Sequence, residues 1–208
     1  MALPKLDVPL YEIDLPVSKK KIKYRPFLVK EQRNLLMAIE SSDSVTIQQN
    51  IRDILNNCTV TEGVDIDSLP IIDIEYYFLN LRGKSVGEVI ETRYRCNNVV
   101  GDKECGNIME KEINLMDLKV DMNGNVNPEI QLTSNIIIKM KYPEFGIVRD
   151  SLELNDLTDV TFNMIASSIE YIYDGEQFYY ANEAEPGEML EFIESLNQEQ
   201  FNKVENFF

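Results

Sequence analysis

Residues 68–87 read SLPIIDIEYYFLNLRGKSVG, and residues 88–115 continue as EVIETRYRCNNVVGDKECGNIMEKEINL. The first part spells a helix over residues 69–82. Asp67 or Ser68 can cap its N-terminus, and Pro70 is tolerated there because first-turn amides need no partner. Asp73 and Glu75 stand near the positive end of the dipole, and Arg82 and Lys84 near the negative end. Gly83 is expected to stop the helix in a left-handed conformation. Ile71, Ile74, Phe78 and Leu81 share one face, and Ile72, Tyr76 and Leu79 widen it until little polar face remains. A helix that apolar belongs in a core or under a partner.

After Gly87 the period changes from helical to twofold. Ile90, Thr92, Tyr94 and Cys96 fall on one face, with Val89, Glu91, Arg93 and Arg95 on the other. The return strand sets Met109, Lys111, Ile113 and Leu115 against Glu110 and Glu112. Antiparallel pairing then lets Arg93 and Arg95 face Glu110 and Glu112, an arrangement that opposite charges favour.

Toward the N-terminus, Tyr11, Ile13 and Leu15 alternate before Pro16, and Ile22 and Tyr24 alternate after it, which predicts a small hairpin. Lys19, Lys20 and Lys21 cluster at its turn as an edge-protecting feature. Arg25 to Glu31 leads into a helix with Leu35, Leu36, Ala38 and Ile39 on its apolar side. A second amphipathic helix runs over residues 44–57, with Ile47, Ile51, Ile54 and Leu55 at helical spacing, and Cys58 continues that stripe as a small hydrophobe.

Toward the C-terminus, residues 117–128 form a turn-rich loop containing Asn123-Gly124-Asn125. Ile130, Leu132 and Ile136 to Met140 predict one or two strands, the triple isoleucine marking a buried one. Pro143 and Gly146 break the pattern. The remainder reads as mainly helical. Asn155 and Asp156 are cap candidates for a helix carrying Phe162, Ile165, Ile169 and Ile172. Asp174-Gly175 turns into a short strand, Gln177 to Tyr180. Two further amphipathic segments follow, one with Met189 to Leu196 and one with Phe201, Val204, Phe207 and Phe208. The terminal aromatics either dock into the core or serve as an exposed anchor. The reading is a single α+β domain over 1–208, with β-hairpins packed against amphipathic helices and a helical C-terminal lobe. Its sub-regions are 1–67, 68–142 and 143–208.

At 208 residues and 44% hydrophobic content, the chain can bury a sizeable core. Its formal net charge of −16 argues against nucleic acid, which needs a basic surface, and against docking on anionic membranes. No apolar run approaches the roughly 20 residues of a membrane helix. The opening MALPKLDVPL lacks the apolar core of a signal peptide. Histidine is absent, which removes the Ser-His-Asp and Cys-His nucleophile systems and the commonest metal ligand. No phosphate-cradling glycine motif occurs. No enzymatic activity, cofactor or small-molecule ligand is therefore expected.

The three cysteines do not make a secreted disulfide framework, so a cytosolic site of synthesis is expected. Eight residues separate Cys96 from Cys105. Three readings stand: a partial zinc site completed by Cys58, a carboxylate or another subunit; a disulfide clamping the hairpin; or two reduced thiols. The reduced pair is favoured, because a structural zinc site needs four ligands and the chain lacks a second pair.

Three blocks carry a resemblance. They are Arg25-Pro26-Phe27-Leu28-Val29-Lys30-Glu31 with Leu35-Leu36-Met37-Ala38; Asp73 to Leu79 running into Leu81 to Glu88; and Ile172-Tyr173-Asp174-Gly175 followed by Leu196 to Phe201. Together, in order and spacing, the sequence resembles the T-even-type bacteriophage baseplate hub assembly proteins. The resemblance implies a non-enzymatic role in building the central hub of a contractile tail, as hub component or assembly chaperone. It implies other hub proteins as partners, with the host cytoplasm during infection and the virion tail baseplate as locations. Longer relatives carry a cysteine-bearing, zinc-ribbon-like tail that has no counterpart before Phe208. The residues expected to touch partners are Tyr76, Tyr77, Phe78, Arg82 and Lys84 in the central helix, and Phe201, Phe207 and Phe208 in the tail.

Overall fold

The computed structural model describes residues 7–101, 103–121, 128–152 and 156–208. The expected loop around Asn123-Gly124-Asn125, the cap candidate Asn155 and the first six residues lie outside them. The described chain is mixed α+β. The first hairpin pairs β1 (Tyr11–Asp14) with β2 (Lys21–Tyr24), Tyr11 opposite Tyr24. Its alternation buries Ile13, Ile22 and Tyr24 and leaves the charged residues outside, where Lys21 and Lys23 pair with Glu12 and Asp14.

Helix α1 (Val29–Ser41) begins where the Leu28 amide donates to Glu31 at 2.5 Å. Burial pushes the Glu31 carboxyl up, but hydrogen bonds from Arg25 and that amide outweigh it and hold the group below the ordinary carboxylate range. The apolar side of α1 is narrower than its sequence suggests. Ala38 is buried, whereas Leu36 is 53% exposed and Ile39 is also largely open. Helix α2 (Ser44–Cys58) starts on Asp43, which accepts from the Thr46 amide, and buries Ile54, Leu55 and Cys58.

Helix α3 (Ile71–Val86) overruns its expected end by a full turn. Gly83 lies inside it, buried, and Gly87, with φ 143°, ends it instead. A Cβ on Gly83 would sit 2.6 Å from Met116 Cε and 3.8 Å from Leu115. Glycine is used there for close approach, not for a left-handed cap. At the other end Pro70 itself occupies the cap position, and no side chain caps it. Asp73 turns inward and is fully buried, accepting from the amides of Val17 at 2.7 Å and Ser18 at 2.8 Å. The hairpin turn is thereby fixed to α3.

A ribbon follows, made of β3 (Val89–Arg95), the tip strands β4 (Val99–Val100) and β5 (Lys103–Glu104), and β6 (Ile108–Asn114). The register sets Arg93 opposite Glu110, with Nε 3.0 Å from Oε1, as expected. The other expected contact fails: Arg95 faces Ile108, and Glu112 faces Glu91.

The second half builds an antiparallel sheet in the order β10-β9-β8-β7. Its strands are β7 (Glu129–Gln131), β8 (Ile137–Met140), β9 (Ile169–Tyr173) and β10 (Phe178–Tyr180). The triple isoleucine lies on or beside β8, an interior strand, and Ile138 is fully buried. Helix α4 (Phe145–Ser151) occupies the stretch where Pro143 and Gly146 had suggested only a break. Helix α5 (Leu157–Ser167) is capped by Asp156 and stops before Ile169, so Ile169 and Ile172 belong to β9 and not to the helix. The C-terminal lobe is therefore a sheet covered by helices α5, α6 (Glu188–Glu194) and α7 (Gln198–Glu205).

Buried residues form two clusters. The first gathers the hairpin, α2, α3 and Phe145; the second gathers the sheet with Ile165, Ile193, Val204 and Phe207. The first core thus takes in the central helix, and the second takes in the strands that precede residue 143. A backbone seam joins them: Ile71 N donates to Pro143 O at 3.0 Å, Phe145 N to Leu69 O at 2.9 Å, and Gly146 N to Asp67 O at 2.9 Å. The Asp67 carboxylate locks it, accepting from Arg52 Nη2 at 2.6 Å and from Arg149 Nη1 at 2.8 Å.

Two measurements check these anchors. Asp73→Ala strands two amides, and the expected loss is about 3 kcal/mol, read as a lower urea midpoint at unchanged slope. A loss near zero would contradict the anchor. For Asp67, the hydrogen bond from Arg52 and then the charge of Arg149 hold its carboxyl below the ordinary range. A depressed carboxylate contributes stability that is complete above the unfolded value of about 3.9 and lost as pH falls through the folded value. Wild-type stability should therefore fall below about pH 4, and Asp67→Asn should make that acid limb shallower.

Candidate functional site

The central helix buries Asp73, Ile74, Tyr77, Leu81 and Gly83. Tyr77 is 0% exposed. Its hydroxyl meets Thr59 Oγ1 at 3.0 Å, its ring stands edge-on to Tyr24 at 5.3 Å, and burial pushes its phenol well up. Tyr76 and Phe78 are half-buried against the same core. Arg82 reaches the Gly87 carbonyl at 3.4 Å, and Lys84 pairs with Glu88 at 2.5 Å while lying over the Tyr11 ring. In the tail, Phe207 is buried beside Tyr142 and Phe201 stacks on Phe162 at 5.1 Å. Phe208, 56% exposed, is the tail aromatic left at the surface. Tyr77 and Phe207 are thus withdrawn from any contact, because the core uses their rings.

Exposed apolar surface lies elsewhere. Strand register puts Tyr171, Tyr173, Phe178 and Tyr180 on the sheet face away from the helices. Their rings touch: Tyr173 to Phe178 at 4.6 Å, Tyr171 to Phe178 at 5.1 Å, and Tyr171 to Tyr180 at 5.8 Å. Lys139 lies over Tyr171 at 5.5 Å. Phe178 and Tyr180 remain 50% and 43% exposed. The opposite side of β10 opens on a cleft of about 680 Å³ lined by Ile172, Tyr179, Met189 and Phe192, with Glu183 and Glu191 among its carboxylates. A third exposed group is on the ribbon, where Val89, Tyr94, Ile108 and Met109 stand open. Leu36, Met37 and Ile39 on α1 form a fourth. The signal that finds the aromatic face is the alternation Tyr171, Tyr173 and Phe178, Tyr180; it is hidden when Ile169 and Ile172 are read as helical.

The three thiols differ in exposure. Cys58 is buried in the first core, Cys96 is partly covered and Cys105 is exposed, and none is in a disulfide. Among the described residues, no group of three or more Cys, Asp or Glu is placed to hold a metal ion. Burial raises the Cys58 thiol to about 11, the Arg25 charge opposing only weakly. Tyr24 is raised to about 12, again by burial first. Both groups face packed core, so neither shift marks a reactive site. The described residues also contain no helix long and apolar enough to cross a membrane.

The family model described as T4 bacteriophage base plate protein fits residues 8–208, nearly the whole chain. No curated protein and no solved structure matches.

Thiol labelling separates the three cysteines. In native buffer a disulfide reagent should react fastest with Cys105, more slowly with Cys96, and with Cys58 only on unfolding. Rapid labelling of Cys58 in the folded protein would contradict its place in the core.

Proposed function

The chain belongs to the T4 bacteriophage base plate protein family, and on that premise we propose that it takes part in assembling the central hub of the baseplate through protein–protein contacts. It works as a hub component or as an assembly chaperone, without bond chemistry and without a cofactor. Its partners are other hub proteins of the same phage, met in the host cytoplasm during infection, and the assembled tail baseplate is its destination. The uncovered aromatic row on the outer sheet face carries this reading. Monomeric soluble proteins rarely leave such a patch open, and aromatic side chains dominate binding energy where two proteins meet. The net charge of −16 agrees with protein partners rather than nucleic acid.

The test is co-expression with the other hub proteins of the phage, followed by native mass spectrometry. A defined complex is expected. Phe178→Ser with Tyr180→Ser should weaken it about thirtyfold or more, as loss of a central aromatic contact does, while circular dichroism stays unchanged. Recovery of the wild-type chain alone would overturn the reading. Mass spectrometry of purified particles then separates a component, which is retained, from a chaperone, which is not.

A further inference from the structure

The ribbon is a two-stranded element with both faces largely open, an arrangement that is only marginally stable in water by itself. Its ladder phase is fixed at each end. Leu115 N donates to Glu88 O at 2.7 Å, and Cys96 N donates to Asn107 O at 2.8 Å. Even-numbered residues of β3 therefore bond toward β6. Val89, Glu91, Arg93 and Arg95 turn their N–H and C=O groups to the free edge. Among the described residues no strand pairs with that edge.

We propose that this edge is the seam of a twofold dimer, in which β3 pairs antiparallel with β3 of a second copy, centred on Thr92. The register is self-complementary. Glu91 lies opposite the second copy's Arg93, and Arg93 opposite its Glu91, both as hydrogen-bonded pairs. Ile90 lies opposite Tyr94 of the second copy, which extends the existing Ile90–Ile113 and Tyr94–Met109 pairs into a continuous apolar row across four strands. Within one chain Glu91 faces Glu112, a like-charge pair; in the dimer the second copy's Arg93 sits on its other side and relieves that repulsion.

Other self-pairings are disfavoured by the same charges. Centring the seam on Glu91 or on Arg93 brings two identical charges together, and a parallel in-register pairing stacks each charge on itself. The β6 edge fares no better: centred on Lys111, it sets Glu110 against Glu112 and lysine against lysine. The net charge of −16 opposes self-association in general, so the attraction has to come from this local match. An isologous contact of this kind closes at two copies.

Light scattering and sedimentation of the full chain over a wide concentration range test the proposal. The expected species has twice the 24.0 kDa of the chain. Arg93→Glu or Glu91→Arg alone should raise the dimer dissociation constant at least about tenfold, because each places like charges opposite one another twice. The double reversal should restore the dimer. The fold should survive each change, since the ion pair that Arg93→Glu removes, Arg93 with Glu110, has side chains 78% and 70% exposed; circular dichroism checks this. A monomer at every concentration overturns the proposal, as does a dimer indifferent to both reversals or an open-ended series of larger species. Pairing of this edge with another baseplate protein while the chain alone stays monomeric also overturns it.

Discussion

Two short stretches of backbone, residues 67–71 and 143–146, exchange three hydrogen bonds, and the two hydrophobic cores are held together through that exchange. The seam works because its donors, Ile71, Phe145 and Gly146, are first-turn amides of α3 and α4 with no partner inside their own helices, and its acceptors lie in the non-helical residues 67, 69 and 143. Gly146 permits the approach: a Cβ there would sit 3.1 Å from Asp67 Cβ and 3.2 Å from its carbonyl oxygen. Asp67 then draws one arginine from α2 and one from α4 onto a single carboxylate. Phe145, inserted into the first core from the start of α4, adds apolar burial to the same joint. Pulling this seam apart would expose Phe145 and Leu69 together and leave Asp67 to water.

The seam also explains why the central helix is internal. It starts on the seam at Pro70, receives the hairpin turn on Asp73, and lays Tyr77 and Leu81 into the first core. Gly83 lets Leu115 and Met116 press against its last turns. Five residues of that helix are buried in this way. Exposed apolar surface is found on the ribbon that leaves the end of α3, on the outer face of the four-stranded sheet and on α1.

Much of this was legible from local pattern. The alternation of Tyr11 to Leu15, the stripe Ile47 to Cys58, the Asp156 cap and the Ile136 to Ile138 run that places Ile138 in the core each answer to a rule that needs only neighbours in sequence. The misreadings share a cause. A glycine that ends a helix and a glycine that admits Met116 look alike until the packing partner is known. Phe162, Ile165, Ile169 and Ile172 keep helical spacing across a helix and the strand after it, because both elements face one core. The aromatic residues chosen as contacts suffered the same ambiguity. Tyr77 and Tyr180 are chemically equivalent, and only the fold decides that one is buried and the other open.

The proposed function puts hub contact on the outer sheet face and not on the central helix. Hydrogen exchange of the chain, free and within a reconstituted hub complex, addresses it most directly. Amides of residues 171–180 should gain protection on assembly, with those of residues 71–86 unchanged. New protection confined to residues 71–86, with the sheet face exchanging as in the free chain, would contradict it.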